Sequence, residues 1–133
     1  MSNFLSKKLI SLNINKSSKQ SSLANYKPYV IDQNIVFISG QLPIKEQVLL
    51  FNGKVGESIN AEETKNSIQL ATYNLLWVLS DAMDEYKNVK NTKCLNIKGY
   101  LNCTDNFDEH SILFDTASDI LVKILGQKSG SHS

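Results

Sequence analysis

Asn34-Ile35-Val36-Phe37-Ile38-Ser39-Gly40-Gln41-Leu42-Pro43 is a short apolar run that ends abruptly. Ile35 to Ile38 are consecutive β-branched and aromatic residues, the pattern of a strand buried on both faces. Ser-Gly-Gln-x-Pro stops it, because glycine and proline weaken a strand interior. A strand finishing in a small hydroxyl, a glycine and an amide leaves backbone groups open at its tip, which suits close approach of a small ligand. The same residues are also compatible with a strand that simply runs into a turn.

Upstream, Tyr26-Lys27-Pro28-Tyr29-Val30-Ile31 is extended in character and reaches the central strand through Asp32-Gln33-Asn34. Turn-forming residues between two apolar runs predict an antiparallel hairpin. Downstream, Val48-Leu49-Leu50-Phe51 indicates a further short strand pair closed by Asn52-Gly53. Asn60, followed three positions later by Glu63, forms a capping box and starts a helix over about Ala61 to Met83. Ile68, Ala71, Leu75, Val78, Leu79 and Ala82 share one helical face, the stripe of a helix lying on a sheet. Leu70, Tyr73 and Trp77 make a weaker row elsewhere, of the kind that marks a neighbouring helix or a subunit contact.

Thr92 to Leu101 alternates roughly as a strand and ends in the turn-rich loop Asn102-Cys103-Thr104-Asp105-Asn106. A second helix is predicted over about Asp108 to Leu125, with Asn106 and Glu109 as its capping box and Gly126 as its C-cap. Leu113, Ala117, Ile120, Leu121 and Ile124 form its apolar face. The order is strand, strand, helix, strand, helix, which predicts an α+β domain: a mixed sheet with two helices packed on one face. Two such helices need about four or more strands beneath them. The last strands of that sheet are therefore expected to be missing.

The chain has 133 residues, enough for one domain whose folding hides roughly two-thirds of the unfolded surface. Residues 1–25 are expected to be an N-terminal extension, with a short surface helix at Phe4 to Leu12 and a linker at Lys16 to Ser22; residues 26–133 are the folded domain. Its only apolar run, Leu9 to Ile14, is too short for a secretory or membrane-spanning segment, so a cytoplasmic location without a membrane partner is expected. Fourteen basic against 13 acidic residues give no positive field to attract a phosphate backbone, so no nucleic-acid partner is expected. All fourteen cations are lysines, and without arginine the sequence has no planar fork for a carboxylate. Cys94 and Cys103, if along one strand, stand up to roughly 30 Å apart, beyond disulfide reach. Free thiols fit a reducing compartment. His110 and His132 have no metal-ligand spacing with them, so no metal is expected.

Ile38-Ser39-Gly40-Gln41-Leu42-Pro43, Gly53-Lys54-Val55-Gly56, Glu62-Glu63-Thr64, Ala71 to Leu76 and Gly99-Tyr100-Leu101-Asn102 together resemble the RidA (YjgF) family of imine/enamine deaminases. Asn106-Phe107 and Asp115 to Leu121 match best its subgroup with a longer N-terminal segment, and the resemblance covers about Tyr26 to Ser133. It implies a chorismate-mutase-like fold in a barrel-shaped homotrimer with sites between subunits, in which Leu70, Tyr73 and Trp77 lie in the outer layer near the second helix or solvent. It also implies hydrolysis of small 2-imino or enamino acids to 2-keto acids and ammonia, without metal or organic cofactor. An older label within the family is ribonuclease or translation inhibitor.

Carried over by this resemblance, the substrate-binding residues are Tyr26, thirteen positions before Ser39, then Ser39 and Gly40 at the strand end, and Asp105, where many members have asparagine. The family's carboxylate-binding arginine, expected just after Ser131-His132-Ser133, does not occur in this sequence, and neither do the strands that follow it. No catalytic residue is therefore assigned; the sequence is expected to be either a truncated product or an incomplete part of a longer one, with deamination impaired in the chain as given. The alternative is a non-catalytic module of the same fold that binds a small molecule or another protein.

Overall fold

A computed structural model describes residues 3–17, 25–86 and 92–133. The linker expected at Lys16 to Ser22 falls largely outside these residues.

The first helix, α1 (Phe4–Ser11), carries a capping box: Asn3 Oδ1 accepts from the Ser6 amide at 2.9 Å and the Asn3 amide donates to Ser6 Oγ at 2.9 Å. The Asn3 amide nitrogen Nδ2 also donates to the Ser80 carbonyl at 3.0 Å and to Asp84 Oδ1 at 2.8 Å. These bonds aim α1 at the middle of the molecule. Leu5 and Leu9 are fully buried, and with Ile14 they pack among Leu76, Trp77, Leu79, Met83, Leu121 and Ile124. The short surface helix of the sequence reading is thus a core element.

Strands β1 (Tyr29–Asp32) and β2 (Ile35–Ile38) form the expected antiparallel hairpin, pairing Tyr29 with Ile38 and Asp32 with Ile35. Burial of β2 on both faces does not hold. Val36 and Ile38 are half-buried, whereas Ile35 and Phe37 are 44% and 59% exposed. The reason is that, among the described residues, the hairpin pairs only with itself and a helix covers just one of its sides, so Val30, Ile35 and Phe37 form an open apolar face.

A second hairpin joins β3 (Ile44–Lys45) to β4 (Val48–Leu49). Its turn is Glu46-Gln47, with φ of 48° and 68°, earlier than the expected Asn52-Gly53. Gly53 belongs instead to the tight 53–59 loop, where a Cβ would lie 2.2 Å from Ser58 Oγ.

The long helix α2 (Ala61–Glu85) begins as predicted, with Asn60 Oδ1 accepting from the Glu63 amide at 2.8 Å and the Asn60 amide donating to Glu63 Oε1 at 3.2 Å. Ile68, Leu79 and Ala82 of the expected stripe are buried, while Ala71, Leu75 and Val78 are half-buried. Trp77, expected in an outer layer, is only 8% exposed: α1 and the segment after it cover the ring, and its indole Nε1 donates to the Ile14 carbonyl at 3.2 Å.

Helix α3 (His110–Leu125) buries Leu113, Ala117, Leu121 and Ile124 as the pattern required. It starts later than predicted and lacks the Asn106–Glu109 capping box. Thr104 to Phe107 closes a turn, through the Phe107 amide and the Thr104 carbonyl at 3.1 Å, and Glu109 becomes an N-cap without a side-chain bond.

Residues 92–101 are extended but join neither hairpin's ladder. Their main-chain bonds run to the far end of the chain: Cys94 N to Ser129 O at 2.8 Å, Ile97 N to Ser133 O at 3.0 Å, and Ser133 N to Leu95 O at 3.0 Å. The last helix, α4 (Gln127–Gly130), folds back on α3 to make this possible. The architecture is α+β, with α2 and α3 side by side, α2 over the hairpins and α3 over the extended segment, where Phe114 lies against Gly99.

Candidate functional site

Ser39 follows β2 and is fixed twice. Its amide donates to the Pro28 carbonyl at 2.9 Å, and its hydroxyl donates to the Lys27 carbonyl at 2.6 Å. Gln41 Nε2 donates to the Ser39 carbonyl at 3.0 Å. The two Ser39 bonds draw the backbone of Lys27 and Pro28 against the strand end, which brings the residue next to Tyr26 beside Ser39. Tyr26 is 66% exposed, and among the described residues its hydroxyl has no hydrogen-bond partner.

Gly40 is informative by what it lacks. A Cβ built there meets nothing within 4 Å, and its φ is not in the left-handed range. Neither backbone conformation nor packing within this chain demands glycine at position 40.

Beside the strand end opens a cavity of about 400 Å³ lined by Lys27, Pro28, Tyr29, Val30, Ile31 and Glu85. The Tyr29 hydroxyl donates to the Glu85 carboxylate, tying β1 to the C-terminal end of α2. That bond, with burial and the nearby Glu85, Asp81 and Asp84 charges, pushes the phenol up from 10.0 to about 12. Because the folded value is raised, the contribution is fully present below pH 10.0 and is lost as pH climbs through about 12. Lys27 supplies a cation to this cavity and Glu85 an anion, so its polarity is mixed.

Asp105 stands apart. Its loop is pinned to the 53–59 loop by Val55 N to Asn102 O at 2.9 Å and Thr104 N to Val55 O at 3.0 Å. Its side chain is exposed, and among the described residues no hydrogen bond or cavity joins it to Tyr26, Ser39 or Gly40. A smaller cavity, about 210 Å³, lies between these loops and α2, with Phe51, Gly53, Thr64, Tyr100 and Asn102 in its wall.

Two further side-chain pairs escaped the sequence reading. Cys103 Sγ lies 3.3 Å from His110 Nε2, and Ser118 Oγ lies 2.9 Å from His132 Nε2. Seven- and fourteen-residue separations carry no local signal; only the delayed start of α3 and the return of α4 create these contacts. Among the described residues, no three His, Cys, Asp or Glu side chains gather to hold a metal ion, and no helix is long and apolar enough to cross a membrane.

Against known proteins, residues 6–133 match the family described as "YjgF/chorismate_mutase-like, putative endoribonuclease". Protein TCP17 of Trypanosoma cruzi is 25% identical over 122 residues, spanning 92% of this chain and 75% of that protein. A crystal structure of a "putative endoribonuclease" from Shewanella oneidensis MR-1 shares 29% identity at a TM-score of 0.78, over 98% of this chain and 85% of that one. Atu1372 of Agrobacterium tumefaciens, of unknown function, shares the fold at a TM-score of 0.74 and 21% identity, over 98% of this chain and 78% of its own.

Proposed function

The chain belongs to the YjgF/chorismate-mutase-like family and has its α+β fold, and on that premise we propose that it binds small 2-imino or enamino acids and hydrolyses them to 2-keto acids and ammonia. Water adds to the imine carbon, the resulting carbinolamine breaks its C–N bond, and ammonia leaves. An iminium carbon is already electrophilic, so the protein's work is orientation more than proton transfer. Tyr26 and Ser39 hydroxyls position the water, the Gly40 backbone lies against the substrate, and Lys27 is the cation nearest its carboxylate. Asp105, remote within one chain, comes to the cleft from a neighbouring subunit of a homotrimer. No metal or organic cofactor takes part, and the free Cys94 and Cys103 thiols accord with a cytoplasmic setting.

The observation that carries this proposal is Gly40: a glycine that its own chain does not require, at the end of a strand. On this reading the substrate takes the space a side chain would fill. Gly40→Ala is therefore expected to keep the parent's Tm, or raise it slightly, while cutting 2-keto acid release from freshly generated 2-aminoacrylate by about tenfold or more, the equivalent of ~1.4 kcal/mol of transition-state binding. Equal turnover by parent and variant sinks the assignment of this site. Absolute turnover by these 133 residues is expected to be low, because a lysine cannot replace an arginine's bidentate hold on a carboxylate.

The alternative is a non-catalytic module binding a small molecule or another protein in the same cleft. Saturable binding of a 2-keto acid without turnover of 2-aminoacrylate identifies it. Incubation with RNA tests the endoribonuclease description carried by relatives; the net charge of +1 offers little attraction for a phosphate backbone.

The trimer draws support from the open apolar face of the first hairpin, Val30, Ile35 and Phe37, since contiguous exposed apolar surface marks contact sites. Sedimentation is expected to give a three-chain species; a monomer at micromolar concentration counts against it.

A further inference from the structure

We propose that Cys103 and His110 form a thiol–imidazole site that adds to soft carbon electrophiles, with α,β-unsaturated carbonyl compounds as the ligand class. The sulfur is 3.3 Å from His110 Nε2, the separation of a nucleophile from its base. With the imidazole proton on Nδ1, the thiol donates to Nε2. Both side chains are half-buried, so the sulfur is reachable by a small molecule while remaining held by the protein.

The pair is fixed from several directions. Cys103 forms a parallel bridge with Val55, and the bonds of Asn102 and Thr104 to Val55 on either side hold its backbone. The Phe107 amide donates to the Thr104 carbonyl, and the Phe107 ring meets the His110 ring edge-on, with centroids 5.0 Å apart and planes at 70°. His110 is the first residue of α3, so its backbone is set by the helix. A nucleophile and base held this way do not have to find each other when an electrophile arrives.

Cys94 is an internal contrast. Burial pushes its thiol up, partly offset by a hydrogen bond from the Asn96 backbone, and among the described residues no imidazole is bonded to it. Two free cysteines of one chain thus differ chiefly in whether a base stands next to the sulfur.

In the addition, the Cys103 S–H proton passes to His110 Nε2 as the sulfur bonds to the β-carbon of the acceptor. The C=C π pair moves to the α-carbon, which then takes the proton back from the imidazolium. The product is a thioether, no atom is lost and nothing is oxidised or reduced. The chemistry uses none of the residues assigned to imine hydrolysis.

The test treats the folded chain at pH 7 with acrylamide and follows each cysteine by peptide mass spectrometry. Cys103 is expected to react about tenfold faster than Cys94, and the two rates should converge in denaturant. His110→Phe keeps a ring against Phe107 but removes the base; it should slow Cys103 by about tenfold while leaving Cys94 unchanged, and added imidazole should restore part of the loss. A Cys103 rate no greater than that of Cys94 overturns the proposal. So does a Cys103 rate that His110→Phe leaves unaltered in a protein of unchanged helical content.

Discussion

Leu9→Ala is expected to destabilise the protein by about 2–5 kcal/mol, a large part of the 5–15 kcal/mol typical of a whole domain. Leu9 is fully buried, and it is inserted between α2 and α3 together with Leu5 and Ile14. Truncating it removes methyl groups from a closely packed cluster and leaves a cavity lined by Leu, Ile, Met and Trp side chains, which can collapse only in part. The cost spreads further, because α1 reaches the rest of the molecule through few elements. Once its seat on α2 loosens, the bonds of Asn3 to Ser80 and Asp84 have to be made by a frayed helix end. Chemical denaturation measures the loss. Trp77 reports it separately: it is the single tryptophan, only 8% exposed, and its emission should shift to the red as its bond to the Ile14 carbonyl is lost. A loss under about 1 kcal/mol with unchanged emission means that α1 is not part of the core, contrary to the cost of cavities at such sites.

Gly130→Ala is expected to cost about 1–3 kcal/mol or more, by overpacking and without any lost contact as its cause. A Cβ at Gly130 would sit 2.4 Å from the Leu121 carbonyl oxygen and 2.6 Å from both the Leu121 carbonyl carbon and Val122 Cα. All three are backbone atoms of α3, so no rotamer change relieves the clash. Helix α4 has to lift away, taking with it Ser129 and Ser133, which accept from the Cys94 and Ile97 amides. Amide exchange at Cys94 and Ile97 should therefore accelerate in the variant more than exchange in the middle of α2. Gly40→Ala is the matched control, since its Cβ meets nothing. Equal stability of the two variants contradicts the packing of α4 on α3.

What the sequence made legible was local. Asn60 and Glu63 are three residues apart and fix the start of α2 by contacts within one turn, so the capping box could be read without knowing the fold. The hairpin at Asp32 to Ile35 and the buried face of α3 were legible for the same reason. Misreadings occurred where a residue's environment is supplied from far along the chain. Trp77 looked like an outer-layer residue because Ile14, its cover, is 63 positions away. Ile35 and Phe37 looked buried because apolar runs do not say how many faces are covered, and one is not. Asn106 had the right neighbour for a cap but spends itself in the turn before α3. Of the candidate site, Tyr26, Ser39 and Gly40 came from family resemblance, and the structure adds that Ser39 bonds to the Lys27 and Pro28 carbonyls. Asp105 came from the same resemblance and lies elsewhere in the single chain. The Cys103–His110 contact was invisible, since it depends on a turn and a helix start that pattern alone placed two residues too early.

The seat of α1 also bears on how the protein is made. Asn3 bonds to Ser80, 77 positions later, and the apolar side of α1 has nowhere to go until α2 has been synthesised. At about 5–20 residues per second, Leu5, Leu9 and Ile14 wait on the order of 4–15 s outside the ribosome with no partner. The seat of α1, formed with residues of both α2 and α3, is therefore one of the last parts of the core to close.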